Sequence, residues 1–253
     1  MSWIVVELKS NPESVTNPRR RVVRTIRILG WTCVWFGLFL LGFVAHQLFF
    51  TTWLAQQNNN ERSSEAVSWF ASAEIGTVEY VPGSDGPGSD EPGSGAVGDP
   101  VPLLVEAPPP EGEAFAIIRI PTIERLSEGW AVVEGVTRAD LRNGAGHMPS
   151  TALPGQPGNA VISGHRTTYG APFHELDELR PGDRIEVETA IGIHAYAVRE
   201  TVIVRPTEFW VVQDRPGAWL TLTTCHPKFS SRQRMIVFAE LVDGPNAEAL
   251  GVS

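Results

Sequence analysis

The pattern of apolar and polar positions divides the chain into three zones. From Ile28 to Leu54 there are 27 residues without Asp, Glu, Lys or Arg, rich in Leu, Phe, Trp and Val. At ~1.5 Å per residue this block makes about 40 Å of helix, enough for a ~30 Å hydrocarbon core with interfacial ends. Trp31, Trp35 and Trp53 stand towards its two ends, where indole rings favour the headgroup region. Residues 55–113 have no sustained periodicity. Within them Pro-Gly-Ser recurs at Pro82, Pro87 and Pro92, with Asp85, Asp90, Glu91 and Asp99 interspersed and Pro108–Pro110 at the close. Proline and glycine deny such a stretch regular structure, and like charges extend it. It reads as a disordered linker, with at most a short helix near Glu65–Phe70. Treated as a flexible chain, it would reach about 40–45 Å.

From Phe115 onward, short strand-like runs alternate with turn signals. Ala116–Ile120, Trp130–Val133, Ala160–Ser163, Arg184–Thr189, Ala195–Val204, Trp219–Thr223 and Met235–Val242 carry the pattern. Thr137–Asn143 reads as a short helix with Thr137 as its cap and Gly144 as its stop. About eight short strands in ~140 residues, without the helix–strand alternation of a parallel sheet, predict a mainly β fold. That fold is a closed eight-stranded β-barrel with short helices in its connections. The predicted organisation is therefore a basic N-terminus (1–27), a transmembrane anchor (28–54), an acidic linker (55–113), a globular domain (114–243) and a short tail (244–253).

Charge sharpens this division. The net charge of −9 is distributed as +4 over residues 1–54, −10 over 55–113 and −3 over 114–253. Nucleic acid is not an expected partner, because phosphate binding needs clustered positive charge. Arg19, Arg20, Arg21, Arg24 and Arg27 precede the apolar block, and no basic residue follows it until Arg62. The positive-inside bias puts the N-terminus in the cytoplasm and everything after Leu54 outside the cell. A cleaved signal peptide is the competing reading. Its apolar region is usually ~7–15 residues and ends at a small-residue site, a role Ala45 or Ala55 would fill poorly.

The chain has two cysteines, Cys33 and Cys225, too few for a disulfide scaffold. With Cys33 in the membrane block, Cys225 is a free thiol. It follows the apolar run Trp219–Thr223 and stands two positions before Pro227, at a strand end beside a loop. His165 also follows a strand, and Arg234 opens the next one, nine positions past Cys225. A thiolate is a nucleophile, an imidazole can move its proton, and a guanidinium can stabilise the oxyanion that attack on an amide creates. The alternative is bland: Cys225 a small buried hydrophobe, His165 a turn residue and Arg234 a surface cation. His147, His174, His194 and His226 are read as structural.

The run Thr221-Leu222-Thr223-Thr224-Cys225 resembles the nucleophile motif of the sortases, which closes a strand. Ser163-Gly164-His165 is similar to the family's catalytic histidine site, and Arg234 ahead of Met235–Ala239 to its arginine. Thr224-Cys225-His226-Pro227-Lys228-Phe229 and the run His165–Phe173 resemble class E sortases of high-GC Gram-positive bacteria. The resemblance spans residues 114–243 and implies a sortase-type barrel. It also implies a cysteine transpeptidase that cleaves a Leu-Ala-x-Thr-Gly sorting signal between Thr and Gly and passes the protein to a cell-wall precursor amine. Cys225 would be the nucleophile, forming a thioester. His165 would be the proton carrier, and Arg234 the oxyanion partner, with Arg232 as its rival. No cofactor is implied. Glu175, Asp177, Glu178 and Asp183 are acidic but give no reason to assign a metal. Two other readings remain at this point: an anchored cysteine peptidase, and a catalytically silent β-barrel that binds wall polymers.

Overall fold

A computed structural model describes residues 18–81, 99–142 and 144–252. The side chains of Arg20, Arg21 and Trp53, the Pro-Gly-Ser recurrence at 82–95 and Asn143 lie outside the described residues. The chain divides into two compact units, residues 1–50 and 51–253. A helix, α1 (Pro18–Ser72), begins in the first and ends in the second. In the first unit, Val22–Phe43 is long and apolar enough to cross a membrane, with none of it buried against protein. Among the described residues it is the one helix that meets those criteria. It starts earlier than the charge-free block because it takes in Arg24 and Arg27 at its basic end.

The second unit is built on a barrel. In chain order its elements are β1 (Ile75–Tyr80), β2 (Val101–Glu106), β3 (Ala114–Arg119), α2 (Glu124–Ser127), β4 (Trp130–Glu134) and α3 (Arg138–Arg142). There follow β5 (Ala145–His147), β6 (Gly158–Ser163), β7 (Arg184–Thr189), β8 (Gly192–Val204), β9 (Ala218–His226) and β10 (Gln233–Asp243). Eight strands close in the order β10-β8-β7-β3-β4-β5-β6-β9. Most neighbours are antiparallel, but β4 pairs with β5 and β6 with β9 in parallel. Alternation along the strands fills the interior: Ala160 and Ile162 of β6, Leu220 and Leu222 of β9, and Met235, Val237 and Ala239 of β10 belong to one core. The residues between them face the outside of the barrel.

The predicted short helix at Thr137 is present as α3. The Thr137 amide donates to Asp140 Oδ2 at 2.8 Å and the Asp140 amide to Thr137 Oγ1 at 3.4 Å, a reciprocal cap. β5 was not anticipated, because three residues are too few to display a period of two.

The expectation of a disordered linker over 55–113 is corrected at both ends. Residues 55–72 are helical and lie against the barrel through one stripe: Asn59, Arg62, Ala66, Trp69 and Phe70. The spacing is that of an amphipathic helix, but the first two members are polar, so hydropathy alone conceals it. Asn59 is 3% exposed, donates to Gly129 O at 3.1 Å and accepts from the Ala131 amide at 2.9 Å. It thereby satisfies the backbone of β4 where β5 does not reach. Beyond the helix, β1 and β2 pair along their whole length, from Ile75 opposite Glu106 to Tyr80 opposite Val101. Residues 244–252 are docked as well. Asn246 is 1% exposed, accepts from the Leu104 amide at 3.0 Å and donates to Leu104 O and Gly155 O at 2.9 and 3.0 Å.

This docking buries two ionisable groups. Neither oxygen of Glu106 has a partner in good hydrogen-bond geometry, and burial pushes its carboxyl up to about 7, outweighing the weaker pull of the nearby Thr189 side chain and Ala190 backbone. His194 is fully buried; its Nε2 meets Thr189 Oγ1 at 3.2 Å, its Nδ1 has no partner, and burial pulls it down to about 4. Gly155 is required beside it, since its φ is +79° and a Cβ there would collide with the His194 ring.

The two groups act in opposite directions. The folded state retains a proton on Glu106 that the unfolded chain releases, so this carboxyl's contribution falls as pH rises from about 4.5 to about 7. His194 contributes fully above its ordinary 6.5, and that contribution is lost as pH falls through about 4. In wild type the two slopes largely cancel. Glu106→Gln removes one of them, so urea unfolding should show its stability relative to wild type rising between pH 5 and pH 8, by more than ~1 kcal/mol. A difference that does not change with pH would contradict burial of an acid at this position.

Candidate active site

Cys225 is the penultimate residue of β9 and sits directly opposite Arg234 in the antiparallel ladder with β10. The strand continues through Cys225 to His226, further than the apolar run Trp219–Thr223 indicates. On its other side β9 runs parallel to β6, with Ser163 opposite Thr223. His165 and Cys225 each lie two residues beyond that last rung. The ladder's direction is prolonged by the Gly164 amide, which donates to Thr223 O at 3.0 Å, and by Thr224 Oγ1, which donates to Gly164 O at 2.7 Å. Strand alternation then assigns the faces. Ile162, Leu222 and Met235 point into the core, so Ser163, Thr223, Cys225 and Arg234 point outward. Cys225 and Arg234 thus share one end of the outer face, and His165 follows two residues after the last β6 rung at that same end of the ladder.

Their surroundings differ in instructive ways. Cys225 is half-buried and carries no disulfide. His165 is also half-buried, its ring lies 5.0 Å from that of Tyr169, and burial holds its imidazole below the ordinary 6.5. Gly164 precedes it because a Cβ there would stand 2.5 Å from the Phe173 ring, which packs against this backbone. Arg234 donates through Nη1 to Ser231 O and Gln233 O, both at 3.1 Å, so the loop before β10 steadies its guanidinium. Arg232 stands outside the strand, exposed, and has no place in the ladder with β9.

Most of the other flagged residues have structural partners. His147 is buried with Nδ1 2.6 Å from Glu134 and Nε2 2.9 Å from Ala152 O. His174 donates from Nδ1 to Arg166 O at 2.7 Å. Of the acidic residues, Asp177 lies 2.9 Å from Arg166 and 3.5 Å from Lys228, Glu175 is 3.9 Å from Arg125, and Asp183 accepts from the Arg180 amide at 2.8 Å. Burial raises the Asp177 carboxyl, but its own backbone amide, Arg166 and Lys228 more than offset that and hold it below the ordinary range.

Sequence reading missed Arg166, which is 3% exposed and bonded to the residues around Cys225. Its position directly after His165, in the stretch that leaves the end of β6, was the available signal.

Residues 118–242 match the sortase domain family. These residues are a sortase domain. It is 29% identical over 230 residues to sortase SrtE1 of Streptomyces coelicolor, covering 86% of this chain and 57% of that one. Over 120 residues it is 32% identical to sortase D of Bacillus subtilis, covering 47% of this chain and 58% of that one. The chain thus spans somewhat over half the length of these two curated relatives. Among solved structures, sortase E of Streptomyces avermitilis is 35% identical, covering 56% of this chain and 95% of that one with a TM-score of 0.49. The similarity to class E sortases agrees with the resemblance carried by the Cys225 and His165 stretches. The sortase barrel predicted for the globular domain is the fold observed.

In this sortase the burial of His165 should be measurable. An NMR titration should place its midpoint below 6.5, and Tyr169→Ala should move it back towards that value. A midpoint at or above 6.5 in the parent protein would contradict the burial described.

Proposed function

We propose that this sortase is a membrane-anchored cysteine transpeptidase of the class E type. The N-terminus is cytoplasmic, the apolar helix is a single-pass anchor and the barrel is extracellular. The observation that carries this reading is the shared rung of Cys225 and Arg234 at the end of a strand whose parallel neighbour leads into His165. The basic flank of the apolar helix supports the orientation.

The reaction runs in two halves. The Cys225 thiolate attacks the carbonyl carbon of Thr in a Leu-Ala-x-Thr-Gly sorting signal. As the tetrahedral intermediate collapses, imidazolium His165 gives its proton to the departing glycine amine, and a thioester to Cys225 remains. An amine of a cell-wall precursor then attacks the thioester. Neutral His165 accepts the proton, sulfur leaves as thiolate, and a new amide joins the surface protein to the wall precursor. Arg234, on the same rung as Cys225, stabilises the oxyanion in both halves. Such a guanidinium stays charged and presents rigid donors. Burial disfavours the His165 cation that the first half requires, which is consistent with slow turnover.

Mass spectrometry of the protein incubated with a Leu-Ala-x-Thr-Gly peptide tests the first half. The expected result is an acyl adduct on Cys225 that converts to an amide product when triglycine or diaminopimelate is added. Cys225→Ala should remain folded and form neither. Hydrolysed peptide as the sole product would reassign the protein as a peptidase, and the absence of any adduct would leave a silent binding barrel. The arginine assignment is tested separately. Arg234→Ala should lower kcat/KM by about 100-fold or more, and Arg232→Ala by less than about 3-fold. Equal losses would remove the distinction between them.

A further inference from the structure

Arg166 presents a question that the reaction above leaves open. A guanidinium is charged at any accessible pH and is rarely buried without several partners. This one is 3% exposed, and its Nε is buried with no hydrogen-bond partner. The remaining nitrogens converge on one place. Nη1 donates to the carbonyl oxygen of Cys225 at 3.4 Å and to Nδ1 of His226 at 2.9 Å, while Nη2 meets Asp177 Oδ1 at 2.9 Å. Asp177 is 40% exposed and also meets Lys228 at 3.5 Å, so the ion pair faces water on the carboxylate side only. A core of apolar residues would fill this end of the barrel without the cost of desolvating a cation. The specific partners are therefore the informative feature.

Two of those partners, Cys225 and His226, end β9, whereas Arg166 itself stands directly after His165 in the segment that leaves β6. The β6–β9 ladder ends at Ser163 and Thr223. Past it, Gly164 is bonded to both Thr223 and Thr224, and Arg166 to the carbonyl of Cys225 itself. On the other side, the Arg166 carbonyl accepts from His174 Nδ1 at 2.7 Å, and the Phe173 amide donates to His165 O at 3.1 Å. The backbone on either side of His165 is thus anchored, and the Arg166 side chain reaches from it to the nucleophile's own peptide unit. The same Nη1 also orders the next residue. A guanidinium has only donors, so Nδ1 of His226 accepts and the ring proton stands on Nε2.

We infer that Arg166 is a positioning residue for Cys225: its buried guanidinium bolts the main chain behind the nucleophile to the segment that carries His165, and fixes His226 in the Nε2–H tautomer. It touches neither the reacting sulfur nor the scissile bond. Its effect is on the register of thiol against imidazole, where a displacement of about 1 Å can cost about 100-fold in rate.

The proposal rests on Cys225 and His165 acting as described under Proposed function, and the experiment separates the two ideas. Detergent-solubilised full-length protein is prepared as wild type, Arg166→Gln, Arg166→Lys and Asp177→Asn, with folding checked by thermal melting. Wild type must first form the acyl adduct on Cys225; its failure to do so would count against the reaction, not against the bolt. In folded Arg166→Gln, acylation kcat should fall about 30- to 100-fold with KM changed by less than about 3-fold, and Arg166→Lys should recover part of the loss. If Arg166→Gln does not fold, Asp177→Asn takes its place. It retains the cation but frees one arm, and kcat should fall several-fold. Independently of catalysis, 15N-histidine NMR should find the His226 proton on Nε2 in wild type and distributed over both nitrogens in a folded Arg166 variant. Folded Arg166→Gln with kcat within about 3-fold of wild type would overturn the proposal, as would a His226 tautomer that the substitution leaves unchanged. Where Asp177→Asn is the stand-in, an unaltered kcat does the same.

Discussion

The pairing of β9 with two neighbours of opposite sense is the constraint on which the rest depends. Its antiparallel partner β10 sets Cys225 against Arg234, and its parallel partner β6 brings in the segment that reaches His165. A slip of one residue in either ladder would exchange the inner and outer faces of that strand. The core opposes such a slip, because Leu220, Leu222, Met235 and Val237 would leave the interior. Apolar packing and the placement of the candidate site are thus one problem with one solution. The chemistry is specified by the same alternation that specifies the barrel.

Much of this was legible before any coordinates. The strands β6, β8, β9 and β10 announce themselves by β-branched and aromatic residues between turn signals, and their ends carry Cys225, His165 and Arg234. The parts that were not legible have a common cause: they are held by polar contacts, not by apolar periodicity. Helix residues 55–72 dock through Asn59 and Arg62 before their first buried apolar side chain, Ala66. Strand β2 contains a proline and ends in Glu106, a residue that reads as exposed until the barrel covers it. Arg166 was overlooked because a charged residue in a loop is expected in water, and only the closure of the barrel end shows what it meets.

Two regions of buried ionisable groups in the barrel unit are handled differently. Beside the candidate site, the Arg166 cation is compensated by Asp177, a carbonyl and an imidazole. Where β2 and the final residues dock, Glu106 and His194 have largely unpaired polar atoms and relieve the cost of burial by shedding charge. Compensation preserves charge, geometry and orientation, whereas neutralisation preserves only compactness. That contrast fits a barrel whose dimensional accuracy matters most at the mouth where β6, β9 and β10 converge.

Strands β1 and β2 carry a consequence for the Pro-Gly-Ser stretch between them. Its flanks are joined, since Tyr80 faces Val101 across the ladder. The repeat is therefore a detour that departs and returns at one point. Adding repeats to it would lengthen the contour without separating Tyr80 from Val101. The entropy of closing such a circuit grows only with the logarithm of its length, about 0.6 kcal/mol per doubling. Insertions and deletions there are thermodynamically cheap, and they leave the β1–β2 ladder itself untouched.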